Sequence, residues 1–252
     1  MTEVVLAIDT STRVSVGLAI DGAVIARASD GDSRSHVELL MPTVADLLER
    51  ADVAATDLTA IVVGMGPGPY TGLRVGIAGA EMLAMVSGAS LHHVCSLDVI
   101  ALSWSMTHPQ TKFIVATDAR RHELYWAVYD RLGQRLDGPN VSAPDELPQE
   151  SLVGPGALLY PQAAGGLDSF LALKLGVRVD ALAAAWPKPE DVPQIVGLDA
   201  GVMAQGVNRL AEVGPEPLYL RHADASAPGR VKSVLPATIP ATNAQMAARS
   251  ER

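Results

Sequence analysis

The sequence has little of the chemistry that metal sites and disulfides require. Cys95 is its single cysteine, which excludes an internal disulfide and a multi-cysteine zinc site and favours a reducing compartment. His92 and His93 stand near it, but adjacent strand residues point to opposite faces, and no HxxxH or HExxH spacing occurs. We therefore expect no bound metal. A nucleophilic pair of Cys95 with His93 stays an alternative to a small buried thiol.

Long apolar runs, aromatic residues and positive charge are also scarce. No stretch approaches the roughly 18 uninterrupted apolar residues of a membrane span, and no basic segment precedes an apolar one near the first residue. Aromatic residues make up 4% of the 252 residues, so small aliphatic side chains must build the core. The net charge of −9 disfavours direct binding to a phosphate backbone. We expect a cytoplasmic protein, with no membrane contact, that reaches RNA only through a partner.

The first 30 residues carry the pattern of a β-meander. Apolar residues fill Val4–Ile8, alternate through 14–18 and resume at Val24, just after the pair Asp21-Gly22. Asp-Gly between apolar runs is a strong hairpin signal, so three short strands are predicted. A later apolar segment, TAIVVGM at 59–65, predicts a buried strand.

Two helices are predicted beside these strands. Ser35 and Glu38 have the spacing of a capping box, and apolar residues recur at three- and four-residue intervals from there to about Arg50. The second helix, from about Gly72 to Val86, follows the loop GMGPGPYTG. This alternation of strand and helix indicates a parallel portion of the sheet.

A repeat relates the start of the chain to its middle. Asp9 and Asp118 each end an apolar strand, and each is followed twelve residues later by another aspartate, Asp21 and Asp130. A strand–turn–strand unit used twice predicts an α/β protein with two similar lobes and a crevice between them. A chance likeness of two hairpins with acidic turns is the alternative.

The predicted lobes divide near residue 104. Residues 1–104 form an amino-terminal lobe that carries the two helices, and residues 105–222 form a carboxy-terminal lobe whose last helix packs back on the first. Residues 223–252 have no periodic apolar stripe and are expected to be a disordered tail.

The pattern within the second lobe is weaker beyond residue 131. Residues 138–150 have the composition of a Pro-rich loop, and short strands are predicted near Leu152 and Val177. Residues 197–212 predict a helix that is stopped by Gly214-Pro215 and followed by the extended segment PLYLR.

Two features near the amino terminus have the residue types of an anion site. A carboxylate followed by hydroxyls suits a magnesium-bound phosphate, although local turn hydrogen bonding explains the same run, which is Asp9, Thr10, Ser11 and Thr12. The glycine loop either offers backbone N–H groups to an anion or acts as a rigid turn. It is not a Walker phosphate loop, because no Gly-Lys-Ser/Thr follows.

The second predicted helix has almost no polar face. Its charged residues are Arg74 and Glu81, and small residues recur at four-residue spacing along it, namely Gly72, Gly76, Ala80 and Ala84. Such a helix must be covered on more than one side. Either its own subunit covers it, or it forms a protein interface together with the first helix.

A resemblance to the bacterial TsaB family rests on five segments: AIDTST, HVELLMPTVADLL, GPGPYTGLRVGIAGAEMLA, DAR at 118–120 and PLYLR. It runs from about residue 3 to residue 222. The family is the dimerisation subunit of the machinery that installs threonylcarbamoyl on N6 of adenosine 37 in tRNA. The resemblance implies the two-lobed α/β fold of actin, sugar kinases and chaperone ATPases, with a duplicated β-meander. It also implies that catalysis belongs to a paralogous subunit, TsaD.

In TsaD a metal-binding HxxxH segment follows the strand after the glycine-loop helix. The corresponding stretch here, VCSLDVIAL, has Ser96 and Ile100 at the two histidine positions, and isoleucine cannot ligate a metal. We therefore predict a subunit with no catalytic residue, metal or cofactor of its own, with nucleotide binding at a shared interface left open. The competing classes are a metallopeptidase of the glycoprotease type, a small-molecule kinase or ATPase, and a direct tRNA binder.

The resemblance implies that both helices pack against a TsaD-like catalytic subunit. A TsaE-like ATPase is a further expected partner, and free subunits are expected to form a homodimer through the same apolar surface. The predicted interface residues are His36, Leu40, Val44, Leu47, Tyr70, Leu73, Gly76, Ala80 and Ala84.

Overall fold

The computed structural model describes residues 2–30, 36–107, 112–166 and 198–220. Its first sheet contains β1 (Val4–Asp9), β2 (Val14–Ile20), β3 (Ala23–Asp30), β4 (Ala60–Gly64) and β5 (Ser90–Val94). These strands lie in the order β3-β2-β1-β4-β5. β1 to β3 are antiparallel, and β4 and β5 continue the sheet parallel to β1. The predicted meander and the predicted buried strand are both confirmed.

The turn between β2 and β3 explains how the meander begins. Asp21 and Gly22 have φ angles of 48° and 75°, both in the left-handed region that a two-residue type I′ hairpin requires. Asp21 also accepts a hydrogen bond from the backbone N–H of Glu3 at 2.8 Å, which ties the hairpin to the start of β1. The Asp-Gly signal therefore predicted this turn correctly.

The second sheet repeats the connectivity of the first. It contains β6 (Phe113–Arg120), β7 (Glu123–Tyr129), β8 (Arg135–Ser142) and β9 (Ser151–Val153), in the order β8-β7-β6-β9. β6 to β8 form an antiparallel meander, and β9 pairs with β6 in parallel as β4 does with β1. The protein is thus an α/β fold with two lobes of similar design. The division at residue 104 stays a prediction.

Five α-helices occur in the described part of the chain: α1 (His36–Arg50), α2 (Tyr70–Ser87), α3 (Ser96–Thr107), α4 (Pro155–Leu159) and α5 (Ala200–Gln205). α2 ends at Gly88, whose φ of 73° is the left-handed conformation common just after helices. The predicted capping residue of α1, Ser35, lies outside the described residues. None of the described helices combines the length and apolarity that a bilayer crossing requires.

Alternation along β1 assigns its residues to two different cores. Leu6 and Ile8 pack with the inner residues of α1 and α2 on one face of the first sheet. Val5 and Ala7 pack on the other face with parts of α3 and α5. A third core joins another side of α3 to the second sheet through Leu97, Ile100, Ala101 and Trp104. α3 therefore packs against both sheets.

Predictions for the later part of the chain are in part corrected, in part confirmed and in part outside the described residues. The helix expected over 197–212 spans only Ala200–Gln205, because Gly206 is a poor helix former and a 3₁₀ turn follows at Val207–Arg209. The loop expected over 138–150 begins as part of β8, an edge strand, where Pro139 is tolerated. The strand near Leu152 is confirmed as β9, whereas Val177 and the tail 223–252 lie outside the described residues.

Candidate functional site

The carboxylate of Asp9, at the end of β1, is enclosed by hydrogen bonds. Asp9 is 1% exposed, and its Oδ1 accepts from the backbone N–H and the hydroxyl of Ser11 at 2.7 and 2.6 Å. Its Oδ2 accepts from the Ser96 hydroxyl at 2.5 Å, and Ser96 Oγ in turn accepts from the N–H of Gly66 at 3.1 Å. The cluster therefore ties β1, the glycine loop and the start of α3 together.

The glycines of the loop lie against this cluster with no space for a side chain. A Cβ at Gly64 would meet the Asp9 carboxylate, and one at Gly68 would lie 2.7 Å from the carbonyl oxygen of Ser11. Thr10 is also fully buried, and its hydroxyl donates to the Gly72 carbonyl at 2.8 Å. The loop thus has the geometry of a rigid turn that packs closely against Asp9 and Ser11.

Of the predicted run, Thr12 alone is partly exposed, since Asp9, Thr10 and Ser11 are all buried. The Ser11 hydroxyl lies on the Asp9 carboxylate, whereas the Thr10 hydroxyl donates to the Gly72 carbonyl. Sequence spacing did not reveal Ser96, which lies 87 positions further along the chain.

Cys95 lies at the junction of β5 and α3, and its thiol is buried. Burial, with the nearby Asp98 carboxylate as a smaller cause, raises the pKa of the thiol to about 12. A cysteine nucleophile acts as the thiolate, so Cys95 is chemically inert at neutral pH. The predicted partner of Cys95 was His93, whose Nε2 is buried with no hydrogen-bond partner among the described residues. The adjacent His92 contacts Glu212, with 2.5 Å between Nδ1 and Oε1.

The predicted interface residues fall into two groups. Six of them face the inside of their own lobe and pack in the core beneath α1 and α2: Leu40, Val44, Leu47, Leu73, Gly76 and Ala80. Ala84 is half-buried against the same core, and the His36 side chain lies outside the described part. Tyr70 is 50% exposed. The six buried residues are therefore withdrawn as contact residues, because their own chain covers them.

The small-residue ridge explains this burial. Gly76 lies against Thr10, and a Cβ at Gly79 would lie 2.9 Å from the Leu40 side chain. The ridge brings α2 close to the β1–β2 turn and to α1 within one chain. Close packing, which the sequence analysis assigned in part to a partner, is thus intramolecular.

The opposite face of α2 is exposed and largely apolar, with Glu81 as an exposed acidic residue within it, and we call it the α2 face. At four-residue spacing it presents Arg74, Ala78, Met82 and Val86, joined by Met85. Met85 is 81% exposed, Val86 67% and Met82 45%. A cluster of large exposed apolar side chains is typical of a protein contact surface. The sequence does contain a signal for this surface. Beside the row of small residues from Gly72 to Ala84, α2 has a second row with large apolar residues, Met82 and Val86.

Comparisons with known proteins agree with this architecture. A family model described as "TsaD: tRNA N6-adenosine threonylcarbamoyltransferase" matches residues 30–223. The Escherichia coli protein named "tRNA threonylcarbamoyladenosine biosynthesis protein TsaB" is 38% identical over 128 residues, which is 50% of this chain and 55% of that protein. The solved structure of YeaZ from Pseudomonas aeruginosa superposes with a TM-score of 0.60 at 25% identity, covering 86% of this chain and 100% of that one. The chain belongs to the TsaB/YeaZ family.

One relative of this TsaB/YeaZ chain is much longer than the chain itself. An uncharacterised Mycobacterium leprae protein, ML0378, is 39% identical over 227 residues, which is 88% of this chain and 56% of that protein. The chain therefore spans about half the length of this relative.

Two residues in the first turns of α3 occupy the positions at which the resemblance implies metal ligands in the catalytic paralogue. Ser96 and Ile100, at the positions of the paralogue's two histidines, are both buried. Ser96 bonds to Asp9, and Ile100 packs against the second sheet. Within the described ranges, no three His, Cys, Asp or Glu side chains are grouped so that they could hold a metal ion.

Proposed function

We propose that this chain is a non-catalytic subunit in the synthesis of N6-threonylcarbamoyladenosine at position 37 of tRNA, and that it binds a TsaD-like catalytic subunit. Family membership and the name of the E. coli relative support a role in threonylcarbamoyladenosine synthesis. The observation that carries the proposal is the exposed apolar α2 face, centred on Met82, Met85 and Val86.

Burial of the α2 face by a partner removes an energetic cost of the free chain. Large apolar side chains on one side of a helix favour a complementary helix or groove, which they contact at intervals of three and four residues. Methionine is well suited to such a surface because its flexible, polarizable side chain adapts to the opposing shape. The two exposed methionines are thus the expected anchors of the contact.

The surroundings of the Asp9 carboxylate and the Cys95 thiol support a non-catalytic role. The Asp9 carboxylate already accepts hydrogen bonds from Ser11 and Ser96, so a magnesium ion would have to compete with these bonds. The Cys95 thiol has its pKa raised to about 12 by burial and is not a nucleophile at neutral pH. In this proposal the reacting groups, any metal and any nucleotide belong to the partner, and tRNA is bound through it.

Replacement of Met85 by aspartate tests the proposed surface. A charge at this position must be desolvated in the contact, so Met85→Asp is expected to weaken binding of the full chain to the TsaD-like subunit about tenfold or more. Met106→Asp is the matched control, because it makes the same change at an exposed methionine of α3. Calorimetric titration gives both dissociation constants, and thermal unfolding shows that both variants are folded.

Normal binding by Met85→Asp, or no binding by the unaltered chain, would contradict the proposal. The competing enzyme classes have their own readouts. Stoichiometric zinc with activity lost on chelation indicates a metallopeptidase, and turnover of ATP by the chain alone indicates a kinase or ATPase. Docking of a TsaE-like ATPase belongs to the same proposal and is measured by its co-purification with the assembled pair.

A further inference from the structure

One arginine at the amino-terminal end of the α2 face contacts two tyrosines. The guanidinium carbon of Arg74 lies 4.0 Å from the centroid of the Tyr70 ring. Its Nε donates a hydrogen bond to the Tyr219 hydroxyl at 3.3 Å, and the two tyrosine rings are themselves 4.7 Å apart. Tyr70 and Tyr219 are 50% and 37% exposed, so the group is open to solvent.

The surrounding backbone holds this group in place. Tyr70 is the first residue of α2, and Arg74 follows it by one helical turn. Tyr219 belongs to a segment anchored on the glycine loop, where the N–H of Leu218 donates to the Met65 carbonyl at 2.9 Å. A planar guanidinium stacked on one ring and bonded to another loses little conformational freedom when it binds a ligand. Arg74 is therefore pre-oriented before any partner arrives.

Arg74 also differs from the arginines that form ion pairs in the described part of the chain. Arg27, Arg50 and Arg135 each form an ion pair with an aspartate. Among the described residues, no carboxylate pairs with Arg74. The Nε is occupied by Tyr219, which leaves the two terminal NH₂ groups as donors, and these form the fork that matches a carboxylate.

The neighbours of Arg74 favour a protein ligand over a phosphate backbone. Along the same row of α2 the next exposed residues are Ala78, Met82 and Val86, which are apolar. Nucleic-acid surfaces instead gather several cations, and this chain carries a net charge of −9. Tyrosine and arginine at the edge of an apolar patch are the residue types that dominate binding energy in protein interfaces.

We infer that Arg74, held by Tyr70 and Tyr219, is the specificity anchor of the α2 face and receives an aspartate or glutamate side chain of the partner protein. The inference rests on the proposed function, because it requires the α2 face to be the contact surface. The apolar residues of the face supply the buried area, and the guanidinium sets the register of the partner along α2.

Charge and geometry at position 74 are tested by two substitutions, Arg74→Gln and Arg74→Lys. Arg74→Gln is expected to weaken binding of the TsaD-like subunit about tenfold or more and to remove most of the salt dependence of the dissociation constant. Arg74→Lys keeps the charge but loses the planar fork, so its affinity lies between the two. Arg131→Gln is the matched control, because it removes an exposed arginine of the β7–β8 turn.

The measurement is calorimetric titration of the full chain at low and high sodium chloride, with Met85→Asp and tRNA in parallel. If Met85→Asp binds normally, the proposed function fails. If Met85→Asp loses binding but Arg74→Gln keeps the affinity and salt dependence of the unaltered chain, the inference on Arg74 alone is overturned. It is also overturned if Arg74→Gln reduces affinity for tRNA and leaves the affinity for the protein partner unchanged.

Discussion

Gly76 lacks a side chain at a point where α2 meets a buried threonine. A Cβ built there lies 2.2 Å from Thr10 Oγ1, and the same hydroxyl donates to the Gly72 carbonyl at 2.8 Å. Thr10 cannot rotate away without losing that bond in a fully buried position. The contact of α2 with the β1–β2 turn therefore depends on glycine at this position.

Gly76→Ala is expected to lower the free energy of unfolding by about 1–3 kcal/mol, because overpacking outweighs the gain in helix propensity of about 1 kcal/mol. Thr10→Ala removes the oxygen that the new Cβ meets. Gly76→Ala is therefore expected to cost much less in a protein that already carries Thr10→Ala. A double-mutant cycle from urea unfolding measures the coupling. A more stable Gly76→Ala protein would show that the turn has room for a side chain.

For single residues, the sequence indicated which chemical groups stand near one another along the chain, but not which groups from distant segments surround them. The run from Asp9 to Thr12 was identified as a carboxylate beside hydroxyls, and the structure places it at the end of β1 as expected. Whether the carboxylate faces a ligand or its own chain depends on Ser96 and on the glycine loop. These approach Asp9 only through tertiary packing, which local spacing does not encode.

α5 is a short helix whose position depends on its first residues. Asp199 caps it, with Oδ1 accepting from the N–H groups of Gly201 and Val202 at 2.8 and 3.4 Å. Its other oxygen accepts from Arg27 of β3 at 2.6 Å. α5 packs closely on β2, where a Cβ at Gly17 would lie 2.2 Å from the Ala200 backbone. Asp199 thus joins a helix end to an edge strand.

Asp199→Ala is expected to lower the free energy of unfolding by about 1–2 kcal/mol through loss of the cap. Asp199→Asn keeps a capping oxygen and removes only the charge, so a loss of less than half that size is expected. Arg27→Gln separates the ion pair, which is half exposed and worth about 0–1 kcal/mol. Thermal unfolding of the three variants checks the order. An Arg27→Gln loss equal to that of Asp199→Ala would assign the effect to the ion pair instead.

Periodicity predicted where the helices lie but not which of their faces stays exposed. The three- and four-residue spacing located α1 and α2 to within a few residues. Both rows of α2 are apolar, so the pattern alone gave no reason to assign the Gly72–Ala80 row to the core and the Met82–Val86 row to solvent. The structure shows why the glycine side is buried. Thr10 packs against Gly76 and Leu40 against Gly79, and neither contact has space for a larger residue.

α3 packs against the sheets of both lobes and so connects their cores. Leu97, Ile100 and Trp104 pack on the second sheet, whereas Val99 and Leu102 pack with the first. The repeat in the sequence predicted two similar units, and the duplicated strand order agrees with it. The repeat did not predict that both lobes pack against α3, because residues 96–107 lie outside the two repeated segments. α2 lies on the other face of the first sheet, away from α3.

An apolar α2 face left open in the free chain is expected to pair with a second copy. A symmetric pair brings the same residues together twice, so Met82, Met85 and Val86 of both copies are buried in one contact. We therefore expect the isolated chain to sediment as a dimer at micromolar concentration and Met85→Asp to sediment as a monomer, with Met106→Asp still dimeric. Because the catalytic partner uses the same face, adding it is expected to replace the homodimer with a complex that contains one copy of each chain. Sedimentation velocity measures both steps, and a homodimer that persists within the mixed complex would place self-pairing on another surface.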